Sequence, residues 1–117
     1  MENNDIFLSV LVPCYNIQDY VEDCLLSLKA AKEQNVEFII INDRSKDHTL
    51  EKIRKTINGD DRFVLINQEN KGVSSARNVA LRNARGKYVY LLDGDDCLVQ
   101  NALSMISDAL SNNDSDL

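Results

Sequence analysis

Two hydrophobic patterns take turns along the chain: short, nearly continuous apolar runs, and stretches where apolar positions recur every three or four residues. Ile6 to Val12 (Ile-Phe-Leu-Ser-Val-Leu-Val) is apolar almost throughout, as expected of a strand covered on both faces. Pro13 is expected to end it, because proline has no N–H to give a ladder. Asn16 is the expected N-cap of a first helix, with Asp19 in its first turn. Tyr20, Val21, Cys24, Leu25, Leu28 and Ala31 then form one apolar stripe. Val36 to Ile41 reads as the second strand, ending in the polar cluster Asn42-Asp43-Arg44-Ser45-Lys46-Asp47. Ser45 or Asp47 is the expected cap of a second helix carrying Leu50, Ile53 and Ile57. Gly59-Asp60-Asp61 is a turn. Phe63 to Ile66 is the third strand, and Asn67-Gln68-Glu69-Asn70-Lys71-Gly72 a polar loop. A third helix sets Val73, Ala76, Ala80 and Ala84 on one side, small enough to lie close to a sheet, and Gly86 is expected to stop it. Lys87 to Leu92 reads as a fourth strand covered on both faces. It runs into Asp93-Gly94-Asp95-Asp96, and a last helix carries Leu103, Ile106 and Leu110 before a polar tail.

Strand, helix, strand, helix, strand, helix, strand, helix predicts an α/β fold with a mostly parallel, doubly wound sheet. With 117 residues, it is one domain with no linker or repeat. The net charge of -6 argues against nucleic acid as a partner, since phosphate-backbone binding needs clustered Lys and Arg. A nucleotide remains compatible, because its few phosphates can be met by a metal and one or two cations. No apolar run reaches membrane-spanning length, and the opening Met1-Glu2-Asn3-Asn4-Asp5 lacks the basic-then-apolar pattern expected of a signal peptide. Cys14, Cys24 and Cys97 are odd in number and have no Cys-x-x-Cys spacing, so neither zinc nor a disulfide framework is expected and a reducing cytosol fits.

Ligands of open α/β sheets collect at the carboxyl ends of the strands, and there the polar residues gather: Tyr15 and Asn16, then Asp43, then Asp93, Asp95 and Asp96. Asn70 joins them from the loop after the third strand. Crowded carboxylates are tolerable when a cation neutralises them, and oxygen ligands suit a hard ion such as Mg²⁺ or Mn²⁺. Arg77, near the start of the third helix, is placed to meet a phosphate. Each residue also has a plain structural reading: a solvated acidic turn for Asp93 to Asp96, capping or solvation for Asp43, partial core packing for Tyr15, a surface ion pair for Arg77. Their joint position at one sheet edge weighs against those readings. The dinucleotide fingerprint GxGxxG and the phosphate loop GxxxxGK[ST] are both missing. Asp93-Gly94-Asp95-Asp96-Cys97 fails as a calcium loop, with Leu98 where glycine is needed and Ser104 where glutamate is needed. A receiver domain would place its acids after the first and third strands, whereas here they follow the second and fourth.

Four segments, Ser9 to Asn16 (Ser-Val-Leu-Val-Pro-Cys-Tyr-Asn), Phe38 to Asp47, Asn70 to Asn78 and Gly86 to Asp96, resemble in order and spacing the inverting, nucleotide-sugar-dependent glycosyltransferases of family 2. The resemblance covers nearly the whole chain and implies the GT-A (Rossmann-like) fold. It also implies that Pro13 and Tyr15 line the base pocket, with Tyr15 stacked on the nucleobase, and that Asp43 accepts from the imide N–H of uracil. Asn70 and Arg77 would lie near the nucleotide diphosphate. Asp93-Gly94-Asp95 would be the DxD motif, with Asp95 on Mn²⁺ or Mg²⁺ and Asp93 on the metal and on the ribose or donor sugar. The implied partners are a UDP-sugar and a glycan or lipid-linked acceptor for polysaccharide synthesis. The implied place is cytoplasmic, extending in the full-length protein to the inner face of the membrane. Two departures stand out: Asn42 replaces an acid, and Arg44 stands where the family usually has glycine. The chain is expected to be the donor-binding part, with the acceptor half absent and the catalytic base beyond residue 117. The competing readings are a non-catalytic nucleotide-binding module and, less well matched, a nucleotidyltransferase, which would need a glycine-rich basic loop where Pro13-Cys14-Tyr15-Asn16 stands.

Overall fold

A computed structural model describes residues 6–68 and 73–92. The order is β1 (Leu8–Cys14), α1 (Val21–Lys29), β2 (Val36–Asp43), α2 (Thr49–Ile57), β3 (Phe63–Gln68), α3 (Val73–Asn83) and β4 (Tyr88–Leu91). The strands form one parallel sheet in the order β3-β2-β1-β4. That is the mostly parallel α/β architecture the hydrophobic pattern predicts. The expected last helix, with Leu103, Ile106 and Leu110, lies outside the described residues, as do Asn70, Asp93, Asp95, Asp96 and Cys97.

Alternation along the strands splits the core in two. On one face Leu8, Val10, Val12, Phe38 and Ile40 pack with Val21, Cys24, Leu25 and Leu28 of α1 and Ile53 of α2. On the other face Leu11, Ile39 and Ile41 meet Ala76 and Ala80, with Ala84 alongside. Methyl-sized side chains let the α3 backbone lie close to β1 and β2, as its sequence predicts.

Pro13 does not end β1. The strand runs on to Cys14, and Pro13 pairs with Ile41. The carbonyls of Phe7 and Leu11 accept from Tyr88 and Leu92 on the β4 side. Pro13 has the same parity, so its missing N–H faces that side beyond Leu91 and leaves the β1–β2 ladder whole. Gly86 does not stop α3, which ends at Asn83. It lies against β1, where a Cβ would sit 2.6 Å from the Ser9 nitrogen. Nor is β4 covered on both faces: among the described residues it is an edge strand, and its Val89 and Leu91 are 46% and 41% exposed. α3 packs chiefly over β2 and β1.

Candidate functional site

The carboxyl ends of β1, β2 and β3 carry a fused wall of loops. The loop after β1 is tied to the loop after β2 almost residue by residue. Asn16 N–H donates to Ser45 Oγ at 3.0 Å, and Lys46 N–H returns to Asn16 Oδ1 at 2.7 Å. Ile17 N–H donates to Thr49 Oγ1, Gln18 N–H to Asp47 Oδ2, and His48 N–H to Gln18 Oε1. Asn16 is therefore not a helix cap. Tyr20 stands at the N-cap position of α1 and makes no side-chain cap bond. Asn16 instead turns the chain with φ 49°, a left-handed conformation that asparagine tolerates better than most residues.

Asp47 does the capping expected of Ser45 or Asp47. Its Oδ1 accepts from Thr49 N–H at 3.0 Å and from the Thr49 hydroxyl. Burial pushes the Asp47 carboxyl up, but the Thr49 hydroxyl and the Thr49 and Gln18 N–H groups outweigh it and hold it below the ordinary carboxylate range. Ser45 is used otherwise: its hydroxyl donates to Asn42 Oδ1 at 2.6 Å, and Asn42 Nδ2 donates to Asn67 Oδ1 at 3.1 Å.

Arg44 follows β2 with φ 50°. The loop thus keeps the left-handed backbone that glycine would take without strain, and Arg44 takes it at a cost.

Within this frame the predicted residues fall on one side. Pro13 shares the parity of Leu11, and Asp43 that of Ile39 and Ile41, so both lie on the sheet face covered by α3. Asp43 is 5% exposed and is the last residue of β2. Tyr15, 41% exposed, stands just past the end of β1, where Cys14 pairs with Asn42. Only 69–72 separate β3 from α3, so the N-terminus of α3 returns to the same edge, and exposed Arg77 lies about 6 Å along the helix from Val73. Pro13, Tyr15, Asp43 and Arg77 are thus gathered at one edge, while Asn70, Asp93 and Asp95 lie outside the described residues.

Gln68 was missed as a site residue because it reads as loop. It is the last residue of β3, paired with Asp43, and its Nε2 donates to Asp43 Oδ1 at 3.0 Å. A cleft of about 250 Å³ lies next to the pair, lined by Gln68 and by Asn42, Arg44, Ser45, Leu50 and Asn67; Asn42 and Asn67 have the parity of the opposite sheet face, and Asp43 does not line it. Two polar residues closing paired strands in register were the available signal.

Among the described residues no group of three or more His, Cys, Asp or Glu could hold a metal, and no helix is long and apolar enough to cross a membrane.

The glycosyl transferase family 2 domain matches residues 9–117. The chain belongs to that family. Glycosyltransferase GlyA of Streptococcus pneumoniae is 38% identical over 80% of the chain, which covers 14% of GlyA. The uncharacterized glycosyltransferase EpsJ of Bacillus subtilis is 33% identical over 94% of the chain, covering 32% of EpsJ. The first 349 residues of S. aureus TarS, in complex with UDP-GlcNAc, superpose with a TM-score of 0.83 and 28% identity over 92% of the chain. The chain accounts for 32% of that TarS chain, so it spans a third or less of these relatives. The four-stranded parallel sheet with its helices has the architecture of a family 2 GT-A fold.

Proposed function

We propose that this family 2 chain is the donor-binding part of a metal-dependent, inverting glycosyltransferase that uses a UDP-sugar. The observation that carries the reading is the gathering of Pro13, Tyr15, Asp43 and Arg77 at one carboxyl edge, on or beside the α3 face. TarS, the neighbour seen with UDP-GlcNAc, supports it. Tyr15 offers an exposed ring for the base to stack on, which is worth about 1–3 kcal/mol. Pro13 forms the floor beneath it. The Asp43 carboxylate accepts the imide N–H of uracil, and Asn70 and Arg77 meet the diphosphate.

Asp93 and Asp95 follow Leu92 closely in sequence. Leu92 N–H donates to the Leu11 carbonyl at 2.9 Å, so Leu92 itself lies beside β1. Their carboxylates are the oxygen donors that Mn²⁺ or Mg²⁺ takes. Such an ion, when bound, stabilises the charge of the departing nucleoside diphosphate as a Lewis acid. No residue of the chain is assigned as the catalytic base. The acceptor is a glycan or lipid-linked glycan, and the protein works in the cytoplasm or at the inner membrane face.

A thermal-shift titration with UDP, GDP and CMP, each with and without Mn²⁺, tests the reading. A ligand at a hundredfold its Kd stabilises by about 2.7 kcal/mol, a rise of several degrees for a domain of this size. The expected result is a UDP shift that needs Mn²⁺ and is lost in Asp95→Ala. No shift with any nucleotide would refute it.

A further inference from the structure

Asp43 and Gln68 close β2 and β3 as a register pair, so their side chains stand beside each other on the α3 face. The Gln68 amide is oriented by this neighbour. Its Nε2 donates to Asp43 Oδ1 at 3.0 Å, since the opposite orientation would set a carbonyl against a carboxylate. That orientation leaves Gln68 Oε1 buried with no hydrogen-bond partner. Buried acceptors without a donor are uncommon and costly, and each one calls for a reason. Ordinary packing would admit a donor beside the carbonyl. Instead the amide gives up its own satisfaction to hold the carboxylate.

Resting on the donor-nucleotide reading of Asp43, we infer that Gln68 is a positioning residue: it fixes the rotation of the Asp43 carboxylate and so sets how well the site reads the N–H edge of the base. An aspartate side chain has a soft terminal torsion. Anchoring one oxygen to the neighbouring strand removes that freedom before the ligand arrives, and preorganisation of this kind appears as affinity. Gln68 touches no ligand in this role.

The test compares the wild-type chain with Gln68→Met, which keeps length and volume and removes the donor. Deleting the donor loses one hydrogen bond and relieves one orphaned carbonyl, so the melting temperature without ligand is expected to stay nearly constant. UDP affinity, measured calorimetrically with Mn²⁺, is expected to fall about tenfold, equivalent to ~1.4 kcal/mol. The diphosphate of N3-methyluridine has no imide N–H for Asp43 and is expected to bind wild type and variant alike. Equal loss for both ligands, or for neither, would overturn the positioning role. Wild type that binds no UDP would refute the donor reading alone. The pair is then judged by the Gln68 side-chain NH₂ protons: they are expected to be protected from exchange in wild type and to lose protection in Asp43→Ala. Unprotected protons in wild type would overturn the pairing itself.

Discussion

The two ends of the sheet treat polar groups in opposite ways. At the amino end, Glu37 is a carboxylate inside β2, 2% exposed. It accepts from the Ser9 hydroxyl at 2.6 Å, from Arg85 N–H at 2.7 Å and from Arg85 Nε at 3.1 Å. Gly86 N–H donates back to Ser9 Oγ at 2.8 Å. Beside it, the Arg62 guanidinium gives its N–H groups to the carbonyls of Ala31, Glu33 and Lys29 and to both oxygens of Asp60. Each of these groups finds partners within the chain, as buried polar networks must if they are to be stable. At the carboxyl end, two non-glycine residues hold left-handed backbone, one buried carbonyl has no partner, and a tyrosine stands exposed. A polar cluster that satisfies itself serves the fold. One that keeps backbone strain and an unmet buried acceptor is shaped by something other than its own stability.

The sharpest way to break this contrast is at Gly86. A methyl group there would meet the Ser9 nitrogen and Oγ at 2.6 Å and the Leu8 carbonyl carbon at 2.8 Å. Two of these are β1 backbone atoms in the middle of the sheet, which cannot swing away as a long side chain could. Gly86→Ala is expected to cost about 3 kcal/mol, read as a lowered denaturation midpoint with unchanged slope. The carboxyl-end substitution Gln68→Met is expected to leave that midpoint nearly in place. If Gly86→Ala were neutral, or if the carboxyl-end variant unfolded the chain, the division of labour between the two ends would be wrong.

A smaller effect sharpens the same comparison through pH and salt. Asp60 lies at the amino end, and the hydrogen bond and charge of Arg62 hold its carboxyl below the ordinary range against the opposing pull of burial. Asp47 lies at the carboxyl end, where burial pushes its carboxyl up and neutral donors on Thr49 and Gln18 bring it below that range. Both carboxyls ionise more readily in the folded than in the unfolded chain, where the value is about 3.9. Each therefore adds stability above that pH and loses it as pH falls through the depressed folded value. Melting temperature followed from about pH 5 to pH 2 is expected to fall less steeply in Asp60→Asn and in Asp47→Asn than in wild type. Salt at about 0.5 M screens charge far more than neutral hydrogen bonds. It should therefore shrink the Asp60 contribution and spare that of Asp47. Equal salt sensitivity of the two would contradict the causes assigned here.

The fold was largely legible because periodicity alone separates runs such as Val36 to Ile41 from stripes such as Val21, Cys24, Leu25 and Leu28. The small-residue face of α3 was equally readable, since alanines three or four apart leave few other arrangements. What escaped the sequence depended on neighbours distant in the chain. Pro13 reads as a strand end because the sequence shows that its N–H is missing but not which side of β1 it faces. Lys87 to Leu92 looked fully buried because its composition cannot show that it lies at the sheet edge. Gly86 looks in sequence like a helix stop, although its need is for room beside Ser9, 77 residues away along the chain. The site was partly legible for a similar reason. Asp43 and Tyr15 stand out as polar or aromatic residues after apolar strands, while Gln68 matters only through its pairing with Asp43.

Arg44 carries the last and smallest test. Its φ of 50° places a side chain in the left-handed region, where the Cβ of an L-residue crowds the following carbonyl at a cost of roughly 1–2 kcal/mol. Glycine removes that crowding but gains freedom in the unfolded chain, worth about 0.4–1 kcal/mol in the other direction. Arg44 is also not without a partner in the structure, and glycine removes whatever the side chain contributes. These effects leave a net gain for Arg44→Gly of up to about 1 kcal/mol, a rise of a few degrees in melting temperature. The loop around it is held from both sides, by Asn42, Ser45 and Asn16, so its course should survive the substitution. A fall in stability would mean that the arginine's contacts outweigh the backbone strain. The arginine would then be part of what shapes the cleft rather than a residue the loop tolerates.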